Sequence, residues 1–316
     1  MKILITGACG FIGTSLSLRL KKHGLTVVGI DCLNAYYNPE LKRRNAEVLR
    51  ANGITLHATD LASDDFPTLD DVGVIVHLAA QPGISQTTPW EDYHRNNILA
   101  THRLLQAACA IKNLRFINIA TSSVYGLDAT GSEETAPKPA SWYGVTKLAA
   151  EQEVLAAHRS GHLSACSLRL FSVFGERERP DKLFPRLVRA LMEDSELPVF
   201  EGSLAHRRSF SYVGDICEGI ASVMHKWPDA AGQIFNIGTD KSFTTGEAIE
   251  TAESITGKRV KIRQLPARPG DQTVTQANID KIRSVLGWEP RTSLRTGLES
   301  MIAWYATDIK GKFDWS

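Results

Sequence analysis

Through the first half of the chain, short apolar runs alternate with stretches in which apolar residues recur every three to four positions. Lys2–Thr6, Thr26–Asp31, Thr55–Thr59, Val72–Leu78, Arg115–Ala120 and Leu163–Leu170 read as buried strands. Gly10–His23, with Phe11, Ile12, Leu16 and Leu20 at helical spacing and Gly24 as its stop, reads as a helix, as do Arg95–Ile111 and Ser141–Ser160. Such alternation predicts an α/β fold, a doubly wound parallel sheet covered on both faces. After Phe171 the pattern loosens, and Pro180, Pro185, Pro198, Pro228, Pro266, Pro269 and Pro290 punctuate it. Helices are expected at Lys182–Met192, Asp215–His225, Thr245–Ile255 and Leu294–Thr307, forming a smaller, mixed α/β C-terminal lobe. Gln233–Ile237 reads as a strand that returns to the sheet. The expected division is residues 1–171 for the main domain, with segments near 210–240 returning to it, and 172–316 for the lobe.

Composition narrows the class. Lys and Arg number 36 against 35 Asp and Glu in 316 residues, a formal charge of +1, which disfavours a nucleic-acid partner. Hydrophobic residues make up 43 %, enough for a large core, and no apolar run is long enough to span a membrane. The glycines of the opening segment argue against a signal peptide. The five cysteines, Cys9, Cys32, Cys109, Cys166 and Cys217, are scattered and lack metal-ligand spacing. They are expected to be buried thiols of a cytoplasmic protein, with no metal site.

Chemistry enters at three places. Gly7, Gly10 and Gly13 form a GxxGxxG turn between the first strand and the first helix. Glycines there permit a tight turn and close approach of a pyrophosphate to a helix N-terminus. Asp31 ends the second strand, where a carboxylate accepts the hydroxyls of an adenosine ribose and repels a 2′-phosphate, favouring NAD over NADP. Tyr143 and Lys147 are four apart on a predicted helix, so phenol and ammonium share a face. The ammonium is expected to lower the phenol's pKa toward working pH. Thr121, Ser122 and Ser123 follow a strand at the sheet edge where ligands bind.

Together GxxGxxG, Asp31, Asp60-Leu61, His77-Leu-Ala-Ala80, Thr121-Ser-Ser-Val-Tyr-Gly126 and Tyr143-x-x-x-Lys147 resemble the extended short-chain dehydrogenase/reductase family over essentially the whole chain. The resemblance implies a Rossmann-like fold binding NAD. It places Gly7, Gly10, Phe11, Ile12, Gly13, Asp31 and Asn34 at the cofactor, Asp60 and Leu61 near the adenine, and Leu78, Ala79, Ala80 and Gln81 on the nicotinamide side. Asn97 would flank the cofactor, and Thr121, Tyr143 and Lys147 would form the catalytic set, the last two also touching NAD. The second half resembles the nucleotide-sugar branch. Arg208, with Arg268 and Asp271 of Arg268-Pro-Gly-Asp271, would hold the diphosphate and ribose, and Phe200 of Pro198-Val-Phe200 would lie at the uracil.

Two segments are similar to those of bacterial UDP-glucuronate 4-epimerases. They are Asp31–Asn38 with Leu41-Lys-Arg43, and Leu168–Asp181. By that match Ser122, Ser123, Ser172 and Arg179 would surround a sugar carboxylate. Ser172 stands where the subgroup usually has Thr, Ala35 where an acid is common, and Lys182-Leu183 where Met-Ala is usual. The implied activity is NAD-dependent epimerisation at carbon 4 of a UDP-sugar, UDP-glucuronate first. UDP-glucose/galactose epimerase relatives often carry Asn at Ser172 and lack Arg179, decarboxylases usually carry Glu at Ser123, and 4,6-dehydratases need an Asp-Glu pair at Ser122-Ser123. A non-catalytic NAD-binding regulator would not need Thr121, Tyr143 and Lys147 together. The family often forms homodimers through two helices per subunit, here Arg95–Ile111 and Ser141–Ser160.

Overall fold

Runs rich in Ile, Val and Leu pair side by side because burial on both faces leaves their backbone groups only each other as partners. In the computed structural model, residues 1–69, 71–83, 85, 87–267 and 273–312 are described. The chain begins with β1 (Lys2–Thr6), α1 (Phe11–Lys22), β2 (Thr26–Asp31), α2 (Pro39–Ala51), β3 (Thr55–Ala58) and β4 (Val72–His77). A continuous helical run follows: α3 (Trp90–Tyr93), a π-helical segment (His94–Leu99) and α4 (Ala100–Cys109). Next come β5 (Arg115–Thr121), α5 (Trp142–Arg159) and β6 (Ser164–Leu170). The later half holds β7 (Val173–Phe174), α6 (Leu183–Glu193), β8 (Glu196–Phe200), β9 (Arg207–Arg208), β10 (Ser211–Tyr212), α7 (Val213–His225) and α8 (Trp227–Ala230). It ends with β11 (Ile234–Ile237), β12 (Phe243–Thr244), α9 (Thr245–Thr256), β13 (Lys261–Leu265), α10 (Asp280–Leu286) and α11 (Leu294–Trp304).

Seven parallel strands form one sheet in the order β11-β6-β5-β4-β1-β2-β3. The order reverses between β1 and β4, so the loops after these two strands diverge and open a crevice at their C-terminal ends. This is a Rossmann-like, doubly wound sheet. Helices α1 and α7 pack together, as do α4 and α5. Ile3, Ile5, Leu16, Ile216 and Ile220 belong to one core cluster, and Leu4, Ile75, Leu104, Phe116 and Val154 to another. As expected, β11 pairs with β6, from Ile234 opposite Ser167 to Ile237 opposite Leu170. Phe174, Phe184, Leu191, Ile249, Leu298 and Met301 share a further core beside three small two-stranded sheets.

Three expectations change. Leu41-Lys-Arg43, read with the preceding loop, lies on α2 instead. The Asn38 side chain caps that helix by accepting from Glu40 N at 3.0 Å, and Pro39 occupies its first turn. The helix expected from Arg95 begins at Trp90 and contains the π-helical segment. Cys9, Cys166 and Cys217 are buried, but Cys32 and Cys109 are exposed, because one lies just past the end of β2 and the other at the end of α4. No helix among the described residues is long and apolar enough to cross a membrane.

Candidate active site

The crevice begins at the glycine turn. Gly7 has φ +67°, and a Cβ there would stand 2.9 Å from Ala79 N. At Gly13 a Cβ would come within 2.1 Å of Gly7 O, so only glycine lets α1 settle onto the turn. Gly10 is the N-cap of α1, no side chain caps the helix, and no acid lies in its first turn, where Phe11 and Ile12 are half-buried. The first amides of α1 therefore face the crevice as an uncapped anion site. Asp31 closes the far side: Oδ2 accepts from Cys9 N at 2.9 Å and Oδ1 from Leu33 N at 2.8 Å. Each oxygen keeps a lone pair for a further donor.

Lys42, on α2, was passed over by sequence reasoning except as part of a motif. It is 7 % exposed and donates to Asn34 Oδ1 at 2.5 Å and Asn34 O at 3.0 Å. Burial lowers its pKa, and the Asp31 charge opposes that. The recognisable signal was a cation eleven residues past Asp31 on a helix whose cap, Asn38-Pro39-Glu40, was legible. Asp60 receives the Arg95 fork at 2.8 and 3.3 Å and the amide of Ala62 at 2.9 Å, beside buried Leu61.

After β4 a buried polar chain fixes the loop that carries Leu78, Ala79, Ala80 and Gln81. Thr6 Oγ1 meets His77 Nδ1 at 2.8 Å and accepts from Ala79 N at 3.1 Å, and His77 Nε2 meets Thr101 Oγ1 at 2.9 Å. Burial, reinforced by the Lys147 charge, pushes His77 down to about 3, so it is a neutral positioning group. Asn97, turned inward by the π-helical segment, accepts from Gln81 N at 2.7 Å and donates to Thr146 Oγ1 at 3.0 Å. It thereby ties the loop to α5. Gln81 Nε2 is buried with no hydrogen-bond partner among the described residues. An uncapped helix start, a glycine cradle and an orphaned amide donor fit a dinucleotide.

Across the crevice, Ser141 caps α5 by accepting from Gly144 N at 3.1 Å. Gly144 allows α5 to touch the loop after β5, since a Cβ there would lie 2.6 Å from Ser123 O. This brings Tyr143 beside Thr121, whose Oγ1 donates to Ser123 Oγ at 3.2 Å and accepts from Ser123 N at 3.1 Å. The expected depression of the phenol is not found. Burial raises Tyr143 above its ordinary value, opposed first by the Thr121 hydroxyl and then by the Arg179 charge. Lys147 is itself buried, and burial lowers it to about 8 against the pull of Glu151.

Arg179 is 7 % exposed, and its guanidinium is engaged within the chain. Nε and Nη2 donate to Asp181 at 3.0 and 2.9 Å, Nη1 donates to Pro82 O at 3.3 Å, and the group lies over the Tyr36 ring at 5.1 Å. The structure thus joins Arg179 to the Tyr143 environment and gives it an internal partner, Asp181, that the motif alone did not reveal. Ser122 lies half-buried next to Thr121, while the Ser172 carbonyl accepts from Ser211 N at 2.8 Å between β6 and β7. Phe200 ends β8, and Arg208, on β9, donates to Arg207 O at 3.0 Å. Arg268 and Asp271 lie outside the described residues.

The chain as a whole is similar to known proteins. The family model of the NAD dependent epimerase/dehydratase family matches residues 3–238. The uncharacterized UDP-glucose epimerase YtcB of Bacillus subtilis (strain 168) is 35 % identical over 99 % of this chain and all of its own length. UDP-glucuronate 4-epimerase 3 of Arabidopsis thaliana is 32 % identical over 96 % of this chain and 76 % of its own. The crystal structure of UDP-glucuronic acid 4-epimerase from Bacillus cereus, in complex with UDP-glucuronic acid and NAD, superposes with a TM-score of 0.90 at 35 % identity. That match covers 97 % of this chain and 99 % of the other. With a matching fold, a matching family model and relatives aligned over almost the whole sequence, the chain belongs to the NAD dependent epimerase/dehydratase family.

Proposed function

We propose that the protein interconverts UDP-glucuronate and UDP-galacturonate by epimerisation at carbon 4, with NAD as resident cofactor. The observation that carries this reading is a buried guanidinium, Arg179, whose charge acts on the Tyr143 phenol. Acid–base group and anion-binding group thus lie close enough for their charges to couple, which suits a sugar with a reacting hydroxyl and a carboxylate. In this reading residues 1–171, with the returning segments near 210–240, hold NAD, and 172–316 mainly hold the nucleotide sugar.

NAD, when bound, would supply the hydride acceptor and donor for carbon 4. The chain does the rest. Gly7, Gly10, Gly13 and the start of α1 take the pyrophosphate, and Asp31 with Lys42 takes the adenosine ribose. Tyr143 accepts the proton of the 4-hydroxyl and later gives it back, with Thr121 beside the phenol and Lys147 supplying positive charge. The ketone formed at carbon 4 is a β-keto acid and loses carbon dioxide when its carboxylate bond aligns with the carbonyl π system. Arg179 holds the carboxylate out of that alignment, aided by Ser122, Ser123 and Ser172, while Arg208, Arg268, Asp271 and Phe200 hold the UDP moiety.

One observation favours a neutral sugar instead: Asp181 already occupies two of the Arg179 donors. Separate incubations with UDP-glucuronate, UDP-glucose and UDP-N-acetylglucosamine distinguish the readings by product. UDP-galacturonate from the first alone is expected. UDP-galactose from the second points to the neutral-sugar epimerase, and UDP-xylose from the first to a decarboxylase.

The assembly we infer is a cytoplasmic homodimer. Exposed free thiols at Cys32 and Cys109 suit a reducing compartment. Trp90 and Trp142 stack edge-to-face at 5.1 Å while remaining 36 % and 58 % exposed, and Leu99 nearby in sequence is also exposed. An aromatic patch of this kind at α3 and α5 suits an isologous contact. Trp142→Glu is expected to halve the mass measured by light scattering at micromolar concentration, with the far-UV spectrum unchanged; a variant that stays at the wild-type mass rules the patch out as the interface.

A further inference from the structure

Two cations meet over one glycine at the edge of the crevice. At Gly83, φ +81°, a Cβ would stand 3.2 Å from Arg179 Nη2 and 3.4 Å from Lys182 Nζ. The Gly83 carbonyl accepts from the Tyr93 phenol at 2.8 Å, and the Tyr93 ring lies 6.4 Å from that of Tyr143. The pair therefore borders the acid–base group. Like charges brought this close need an anion.

The chain provides one, Asp181, and beside it a buried carboxyl, Glu178, whose burial favours the neutral form. Asp181 binds the Nε and Nη2 side of Arg179 and leaves one hydrogen on each of Nη1 and Nη2. Glu178 is 7 % exposed, and its Oε2 is buried with no hydrogen-bond partner among the described residues. Burial pushes its pKa well above the carboxylate range, and Lys182 is the cation that most opposes this.

Lys182 is the N-cap of α6, a position that favours Ser, Thr, Asp or Asn, and its side chain makes no cap hydrogen bond. A cation at the positive end of a helix is unfavourable. Lysine is kept here against the preference of the helix, beside a buried arginine and a poorly satisfied carboxyl.

We propose that Lys182 is a second cation of the subsite for the sugar's anionic C6 group, bridged to Arg179 by the bound carboxylate. The inference rests on the uronate reading above. A neutral hexose brings no charge to the pair, so Lys182 acts as a specificity-determining residue rather than a general aid to binding.

The test uses NAD-loaded protein and two variants. Lys182→Met is expected to raise KM for UDP-glucuronate roughly tenfold with kcat within about twofold, the size of one lost charge-assisted hydrogen bond. Glu178→Gln keeps a neutral group of the same shape and is expected to leave the same KM within about twofold. In a Tyr143→Phe background, which blocks turnover, calorimetric Kd values for UDP-glucose should move less than twofold in either variant. If Lys182 serves only to neutralise Glu178, Lys182→Met lowers Tm, Glu178→Gln restores it, and the ratio of uronate to hexose affinity stays unchanged; that result overturns the proposal. Wild-type protein that forms no UDP-galacturonate overturns the underlying function, and with it the role of Lys182. Wild-type protein that forms it while Lys182→Met leaves KM unchanged overturns the role of Lys182 alone.

Discussion

Tyr143→Phe is expected to lower kcat for 4-epimerisation by roughly 10³, with NAD still bound and the fold intact. That is the size of effect attached to a positioned general acid–base group. The ring contributes packing near Tyr93 that phenylalanine retains, and only the oxygen beside Thr121 is lost. The two titrating groups also set a pH profile. A phenol raised by burial must lose its proton to act as a base, while Lys147, lowered to about 8, must keep its own to supply charge. The productive pairing of phenolate with ammonium is therefore a minor species. Its population rises with pH until about 8, where Lys147 titrates, then levels until the phenol titrates in turn. So kcat/KM should climb toward pH 8 and stay flat above it. A profile that falls above pH 7, or a Phe variant within tenfold of wild type, removes Tyr143 from the acid–base role.

The reasons why some of this was legible in the sequence and some was not are physical. Gly7 and Gly13 could be read because their constraint is local: a backbone turn admits no Cβ. The return of β11 to the sheet could be read because a short apolar strand needs a partner for its backbone groups, and β6 supplies one at the sheet edge. That Tyr143 and Lys147 share one helix, a turn apart, followed from the spacing, but the direction of the Tyr143 shift did not, because burial and Arg179 come from elsewhere in the chain. Asp181 stood two residues from Arg179 in the motif. Its closure of the guanidinium is a matter of side-chain conformation, which spacing does not encode. Glu178 and Lys182 became informative only when Gly83, about a hundred residues earlier, was seen to bring Lys182 against Arg179.

Glu151→Ala is expected to destabilise the protein by roughly 3–5 kcal/mol, because it strands a charge in the core. Glu151 and Arg169 are 0 % and 1 % exposed. The Arg169 fork donates to Glu151 through Nε at 3.0 Å and Nη2 at 2.6 Å, and Ser167 Oγ adds a hydrogen bond at 3.0 Å. Arg169 Nη1 donates to Tyr125 at 2.9 Å, and Tyr125 donates to Asn236 Oδ1 at 2.8 Å. This network binds α5, β6, the loop after β5 and β11 into one unit. Removing the carboxylate leaves a guanidinium with no counter-charge, whereas removing both charges leaves none. Glu151→Met with Arg169→Met should therefore be more stable than Glu151→Ala in a denaturant melt. The change also reaches the crevice. Glu151 lies one helical turn from Lys147, and its charge holds the ammonium pKa up. In Glu151→Gln, provided it folds, Lys147 loses its proton at a lower pH, and the rise in kcat/KM should level off correspondingly earlier. A melt within 1 kcal/mol of wild type, together with an unmoved pH profile, contradicts both roles of Glu151. A destabilised variant with an unmoved profile confines it to the fold.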